Sequence, residues 1–405
     1  MKNDFLPVFR FAICSDAHIE GVGSPGYIRL KKAIDFSLAY AQKDETYNKL
    51  DNFFIAGDIT NKGKTEEFAS FKEIYDEANK KGLNMLCTVA KGHDSITMKK
   101  KSLAHYKSLT GQETDFHRVI GGYHFIGLST CKSLPHKHYS PFQKLWLKKE
   151  LKKAVSDTPD KPVFLIHHEH VKNTVYGSSD FDGWGNRFFG GVFNKHPNVV
   201  DFSGHSHYPV NDPRSLWQGD FTALGTGSLK YTELTVDDER KVHPPTCEIC
   251  SNFLIVEADK DSNLHIIGID ILAEEKLCEY YLKNPANKNN RDYTPAKQSS
   301  RSKAPEFSAG TEITLTNTNG TYSAEYQKAE STDGMPVFIY RAYVYDEKGD
   351  IVAKGKTLPS YFLYKSEDKL TTELGKLSKG RYKIEIYAEN AYGKKSECIE
   401  KTIEI

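Results

Sequence analysis

Residues 11–18 read Phe-Ala-Ile-Cys-Ser-Asp-Ala-His, an apolar run that breaks off at Asp16-Ala17-His18. The same arrangement returns at Gly57-Asp58 after NFFIA, at Gly92-His93-Asp94 after MLCTVAK, at His167-His168 after PVFLI and at Gly204-His205-Ser206-His207 after VVDFS. Each polar group stands where an apolar run stops, which places it at the carboxyl end of a buried strand. Open α/β sheets bind their ligands at that end. Asp16 and His18 are two residues apart, so on an extended chain both side chains point the same way and can grip one ion, and His205 with His207 repeats the geometry. Hard oxygen donors mixed with imidazoles suit Mn, Fe or Zn. A carboxylate such as Asp58 can bridge two such ions about 3.5–4 Å apart.

The chain has 405 residues, too many for one ordinary core, so two domains are expected. Its 55 Lys and Arg balance 54 Asp and Glu, which leaves no basic footprint for long nucleic acid. No apolar run approaches the roughly 20 residues that span a bilayer. The seven cysteines are odd in number and scattered, which argues against a disulfide framework, and Cys247-Glu248-Ile249-Cys250 reads as two ordinary cysteines. A cytoplasmic location is expected if this is the full chain, and a secreted or cell-surface one if a leader was removed.

Strand and helix patterns alternate over the first 200 or so residues, as in a sheet covered by helices. A helix is predicted from Thr65 to Lys81, with Phe68, Phe71, Ile74, Tyr75 and Ala78 on one face and Gly82 as its stop. Ser140, Pro141 and Gln143 supply an N-cap, a first-turn proline and a capping-box partner for the next, which carries Phe142, Leu145, Trp146 and Leu151. A hairpin over residues 253–267 closes a first domain at 1–284. Residues 285–304, rich in Asn, Lys, Ser and Pro, read as a linker. Over 305–405 every element reads as a strand, at 312–315, 337–345, 351–354, 381–388 and 399–405, in a chain of sandwich size. The stretch from Leu377 to Lys395 resembles the end of a fibronectin type III-like (immunoglobulin-like) β-sandwich, a candidate for binding a protein or glycan partner.

The ordered set D-x-H, G-D, G-H-D, His after a strand and G-H-x-H resembles the calcineurin-like metallophosphoesterase superfamily, whose pattern has G-N-H-[DE] as its third motif. That resemblance implies an α/β fold, a two-sheet sandwich flanked by helices. It implies a dinuclear hydrolase, a phosphatase or phosphodiesterase using two divalent or trivalent ions, Mn, Fe or Zn. Asp16, His18 and His207 would hold the first ion, and His167 and His205 the second, with Asp58 bridging. A hydroxide between the metals would attack the phosphorus of a phosphodiester or phosphomonoester, His93 would protonate the leaving alkoxide, and Asp94 would orient His93.

One position departs from the superfamily pattern. Gly92 stands where the family has Asn, so an amide ligand to the second metal is lacking and that site is weakened. The alternative is therefore a catalytically impaired relative that serves as a binding or scaffold module. His168 points the other way from His167 on an extended chain and is expected to pack or to support the site, the lesser alternative being that it replaces His167 as the ligand. Lys91 is a candidate for phosphate contact. The glycine-rich aromatic loop at 176–191 is expected to overhang the site, with Tyr176 or Trp184 stacking on a leaving group and Arg187 meeting phosphate.

Overall fold

A computed structural model of the chain describes residues 5–98, 101–130 and 139–405, which divide into two compact units, 1–295 and 296–405. The first unit is built on two six-stranded sheets. In the first sheet, strands Pro7–Cys14, Asn52–Ala56 and Met85–Thr88 run parallel. Asn252–Asp259, Leu264–Asp270 and Glu275–Leu282 extend it antiparallel on the far side. In the second, Tyr123–Leu128, Val163–His167, Val199–Ser203 and Thr222–Gly225 are parallel, and Phe116–Ile120 and Leu216–Gln218 form antiparallel edges.

Period-2 alternation decides what each strand face buries. Phe9, Phe11, Ile13 and Phe54 from the first sheet meet Phe125, Phe164, Ile166 and Phe202 from the second in a shared aromatic core between the sheets. Ala12, Cys14, Phe53 and Ile55 face the other way, against helices Pro25–Gln42 and Thr65–Lys80. Val163, Leu165 and Val199 pack against helix Pro141–Asp157. The result is a mixed α/β sandwich of two sheets covered by helices.

The predicted helix at 65–81 is present as Thr65–Lys80, and Gly82 beyond it takes φ +76°, the left-handed geometry that ends a helix. The Ser140 capping box also forms: Ser140 Oγ accepts from Gln143 N at 3.1 Å, and Gln143 Oε1 accepts from Ser140 N at 2.9 Å. That helix buries Leu147, Leu151 and Ala154 but leaves Phe142 81% and Leu145 64% exposed. The six described cysteines form no disulfide with one another, and Cys131 lies outside the described residues. No helix among the described residues is long and apolar enough to cross a membrane.

Residues 285–295 depart from the linker reading, because they pack onto the first unit. Arg291 is buried and donates to Thr222 Oγ1 at 2.7 Å, Pro285 O at 2.6 Å and Pro197 O at 2.7 Å, while the backbone N–H groups of Asp292 and Tyr293 donate to Gln218 Oε1. The second unit is antiparallel throughout its two sheets. Thr314–Thr318, Thr321–Gln327 and Lys369–Lys376 form one, and Ile351–Thr357, Val337–Tyr345, Arg381–Asn390 and Ile399–Glu404 form the other. Tyr326, Tyr340, Val344, Leu370, Ile384 and Ile386 fill its core.

Candidate metal centre

The five motifs meet at the carboxyl ends of the parallel strands. Parallel pairing aligns Cys14 with Ile55, Ala56 with Thr88 and His167 with Ser203, so the loops that follow emerge side by side. Backbone hydrogen bonds then lace these loops together: Asp16 N to Gly57 O at 3.1 Å, His18 N to Asp58 O at 3.0 Å and Gly204 N to His168 O at 2.9 Å. Asp16, His18, Asp58, His205 and His207 all adopt left-handed φ, between +47° and +74°. Such backbone is costly for a residue with a Cβ and concentrates at functional sites. Gly57 and Gly204 permit the close approach, since a Cβ at 57 would fall 2.7 Å from His168 Nδ1 and one at 204 would fall 2.5 Å from Asp16 Oδ2.

Two groups of donor atoms result. In the first, His207 Nε2 lies 3.2 Å from Asp16 Oδ1 and 3.2 Å from His18 Nε2, and His18 Nε2 lies 3.8 Å from Asp16 Oδ1. Ligands about 2.1 Å from a tetrahedral ion stand about 3.4 Å apart, so this triangle has the size of one face of such a shell. In the second, Asp58, His168 and His205 converge, with His168 Nε2 3.2 Å from Asp58 Oδ2. Asp58 also groups with His18 and His93, which puts its carboxylate between the two clusters. Asp16 Oδ1 and His168 Nε2 are buried and lack a partner in hydrogen-bonding geometry. Oxygen and imidazole donors that are buried, converging and unspent fit a first-row metal ion.

The supporting shell aims these donors. His168 Nδ1 sits 2.8 Å from the Ala56 carbonyl oxygen, which leaves Nε2 toward Asp58. Ser15 Oγ and the His205 N–H both donate to Asp16 Oδ2, turning Oδ1 into the cluster. His170, fully enclosed, joins Ser203 Oγ and Ser206 Oγ at 2.8 Å each and so braces the loop that carries His205 and His207.

Charge follows the same plan. Burial opposes ionisation of Asp16 and Asp58, yet His207, His168 and His18 around Asp16, and His168 and His18 around Asp58, hold both carboxyls well below their usual range. Burial lowers His168, but Asp58 and Asp16 outweigh it and raise the imidazole to about 10. Burial pushes His18 down to about 3 and His205 well down. Two buried carboxylates held ionised are a place for positive charge.

The other expected residues divide. His167 does not join the cluster: its Nε2 lies 2.6 Å from Asp201 Oδ1, both side chains are fully buried, and Phe189 and Phe193 flank the ring. The reason is strand parity, since Leu165 and His167 face the helix layer while Phe164, Ile166 and then His168 face the inter-sheet side. His93 stands at the cluster, its ring edge-on to His18 at 4.2 Å and its Nδ1 2.6 Å from the Asn61 carbonyl oxygen. Asp94 does not orient that ring. Its carboxylate accepts from Thr60 N at 2.7 Å, Thr60 Oγ1 at 2.9 Å and Ala90 N at 2.9 Å, fixing the loop backbone, and burial with the Asp58 charge pushes it up to about 6.

Lys91 is half-buried beside Gly92, and its carbonyl accepts from Ser95 Oγ. Trp184 and Arg187 line a cavity of about 500 Å³ whose wall includes His205, and Arg187 Nη2 also reaches Asp180 at 3.0 Å. Tyr176 is absent from that lining. Its hydroxyl donates to Thr235 O at 2.6 Å and the Arg214 guanidinium covers its ring at 3.7 Å. Sequence reasoning missed Asn61, Asp201 and Tyr231, whose ring lies 4.3 Å from His207. Asp201 was within reach of the parity argument; Asn61 acts through its carbonyl, which no side-chain pattern reveals.

No family model and no curated protein matches the sequence. Among solved structures, the chain is similar to a purple acid phosphatase from yellow lupin (Lupinus luteus) seeds, at 11% identity and a TM-score of 0.46 over 67% of this chain and 53% of that one. The chain thus spans about half the length of that phosphatase. It is also similar to a β-glucuronidase from Ruminococcus gnavus, at 12% identity and a TM-score of 0.16 over 24% of this chain and 15% of that one. A titin fragment matches at 10% identity and a TM-score of 0.18 over 38% of this chain and 40% of that one. None reaches a TM-score of 0.5, so the residues carry the functional reading.

Proposed function

We propose that the first unit is a metal-dependent phosphoesterase with a dinuclear centre of the calcineurin-like kind. The observation that carries this reading is the pair of His/Asp clusters at the carboxyl ends of parallel strands, with Asp58 in the second cluster and also grouped with His18 of the first. Asp16, His18 and His207 hold one ion. Asp58, His168 and His205 hold the other, with His168 taking the place expected of His167. The chemistry such ions supply is neutralisation of phosphoryl oxygens and activation of water near neutral pH.

The chain's own groups do the rest. With Nδ1 tied to the Asn61 carbonyl, His93 presents its other nitrogen beside His18 and gives a proton to the leaving oxygen of the ester. Asp94, bonded to Thr60 and Ala90, keeps that loop in place. Gly92 contributes no side chain, which leaves the second cluster one ligand short of the superfamily pattern. This favours a second reading, a metal-binding relative impaired in catalysis and serving as a binding module. The three-plus-four antiparallel arrangement of the second unit supports a fibronectin type III-like sandwich with a partner-binding role.

The test is hydrolysis of bis(p-nitrophenyl) phosphate and p-nitrophenyl phosphate by protein stripped with chelator and refilled with Mn²⁺, Fe²⁺ or Zn²⁺. Turnover that vanishes on stripping and returns on refilling supports the phosphoesterase. Metal uptake without turnover supports the binding module.

A further inference from the structure

We propose that the cavity against His205 is the subsite for the organic part of the substrate, and that this part is a planar aromatic ring. The proposal rests on the phosphoesterase reading and names the substrate class for that site. His205 belongs both to the Asp58 cluster and to the cavity wall, so a phosphoryl group at the cluster has its ester substituent directed into this space. The cavity, at about 500 Å³, falls within the roughly 300–1,000 Å³ of small-molecule sites.

Tyr139, Trp184, Phe188 and His205 bring rings to a lining that also carries Lys144, Glu169 and Arg187. Trp184 stands edge-on to His205 with centroids 4.7 Å apart, and Phe188 stacks on Tyr139 at 5.6 Å. Lys144 Nζ lies 5.0 Å over the Phe188 ring and has no carboxylate partner among the described residues. Ring faces and edges of this kind hold a flat ring better than a flexible alkyl chain of equal area.

The rings are also held in position before any ligand arrives. Gly185–Asn186 pairs with His170–Val171 as a short two-stranded ladder. Asn186 Nδ2 donates to Glu169 O at 3.0 Å and His170 O at 3.1 Å, and its Oδ1 accepts from Phe188 N at 3.0 Å. Gly185 makes this closure possible, because a Cβ there would fall 2.1 Å from Ser178 O. Trp184 and Phe188 therefore flank a ladder anchored next to His168, and little ordering cost remains on binding.

The experiment is calorimetric titration of the Mn²⁺-loaded full chain with phenylphosphonate, methylphosphonate and inorganic phosphate. These share the phosphorus head and differ in what they offer the cavity. We expect phenylphosphonate to bind at least about ten times more tightly than methylphosphonate, and that ratio to fall toward one in Trp184→Ala and in Phe188→Ala. Equal affinities of the two phosphonates for the unmodified chain would overturn the aromatic subsite while leaving phosphate binding intact. Failure of all three, inorganic phosphate included, would overturn the phosphoesterase reading beneath it.

Discussion

A Cβ built on Gly92 lies 3.4 Å from Asp58 Oδ1 and 3.6 Å from Oδ2, ordinary van der Waals distances with nothing else within reach. A Cβ at 92 thus sits beside the Asp58 carboxylate without a clash. Gly92→Asn should restore an amide donor there and tighten the second ion about 10–100-fold. Competition with a metal-sensitive dye, run against the unsubstituted chain, measures this; unchanged affinity with an intact fold would remove Gly92 as the cause of a weakened site.

His167 and His168 should separate cleanly. His168→Ala is expected to abolish the second metal equivalent and also to lower stability, because it removes the imidazole beside the buried Asp58 and Asp16 carboxylates. His167→Ala should keep both equivalents but cost about 3 kcal/mol, because it leaves the Asp201 carboxylate buried beside a void. Metal content by mass spectrometry together with urea unfolding tells the two apart.

The contrast between these neighbours also shows what a sequence can carry. The alternation of Phe11 and Ile13 with Ala12 and Cys14 gives the two-faced strand directly, and the motif loops follow from where those runs end. Motif position alone, however, selected His167, whereas the parity of Val163 to Ile166 sends it to the helix layer with Asp201. Arg291 was hidden for another reason. Its partners are Thr222 and the carbonyls of Pro285 and Pro197, and long-range hydrogen bonds to backbone leave no compositional mark on a polar segment. Tyr176 illustrates the reverse, an aromatic in a glycine-rich loop spent on Thr235 and Arg214.

His170 should act as a positioning residue through Ser203 and Ser206. Its replacement in His170→Ala frees the loop that carries His205 and His207, and a roughly tenfold loss of metal affinity is expected. Partial recovery in His170→Asn, which keeps a polar side chain between the serines, distinguishes loop positioning from a general loss of packing.

Acid stability should depend on Asp44. Burial raises this carboxyl, but hydrogen bonds from Thr46, from the Arg10 guanidinium and from Tyr47 N outweigh it and bring the value to about 2. The folded value lies below the ordinary value of about 3.9, so the contribution is complete above pH about 4 and is lost as pH falls toward about 2. Asp44→Asn should flatten the dependence of the urea midpoint on pH across that window, and an unchanged slope would place the sensitivity in other carboxylates.

The central claim is that Asp58 joins two metal sites into one hydrolytic centre. Its most direct test is the Mn²⁺-dependent hydrolysis of bis(p-nitrophenyl) phosphate by the unsubstituted chain and by Asp58→Ala in parallel, with circular dichroism confirming both folds. A measurable rate in the former that falls by about 100-fold or more in the latter is the expected result. An equal rate in both, or none in either with metal bound, would contradict it.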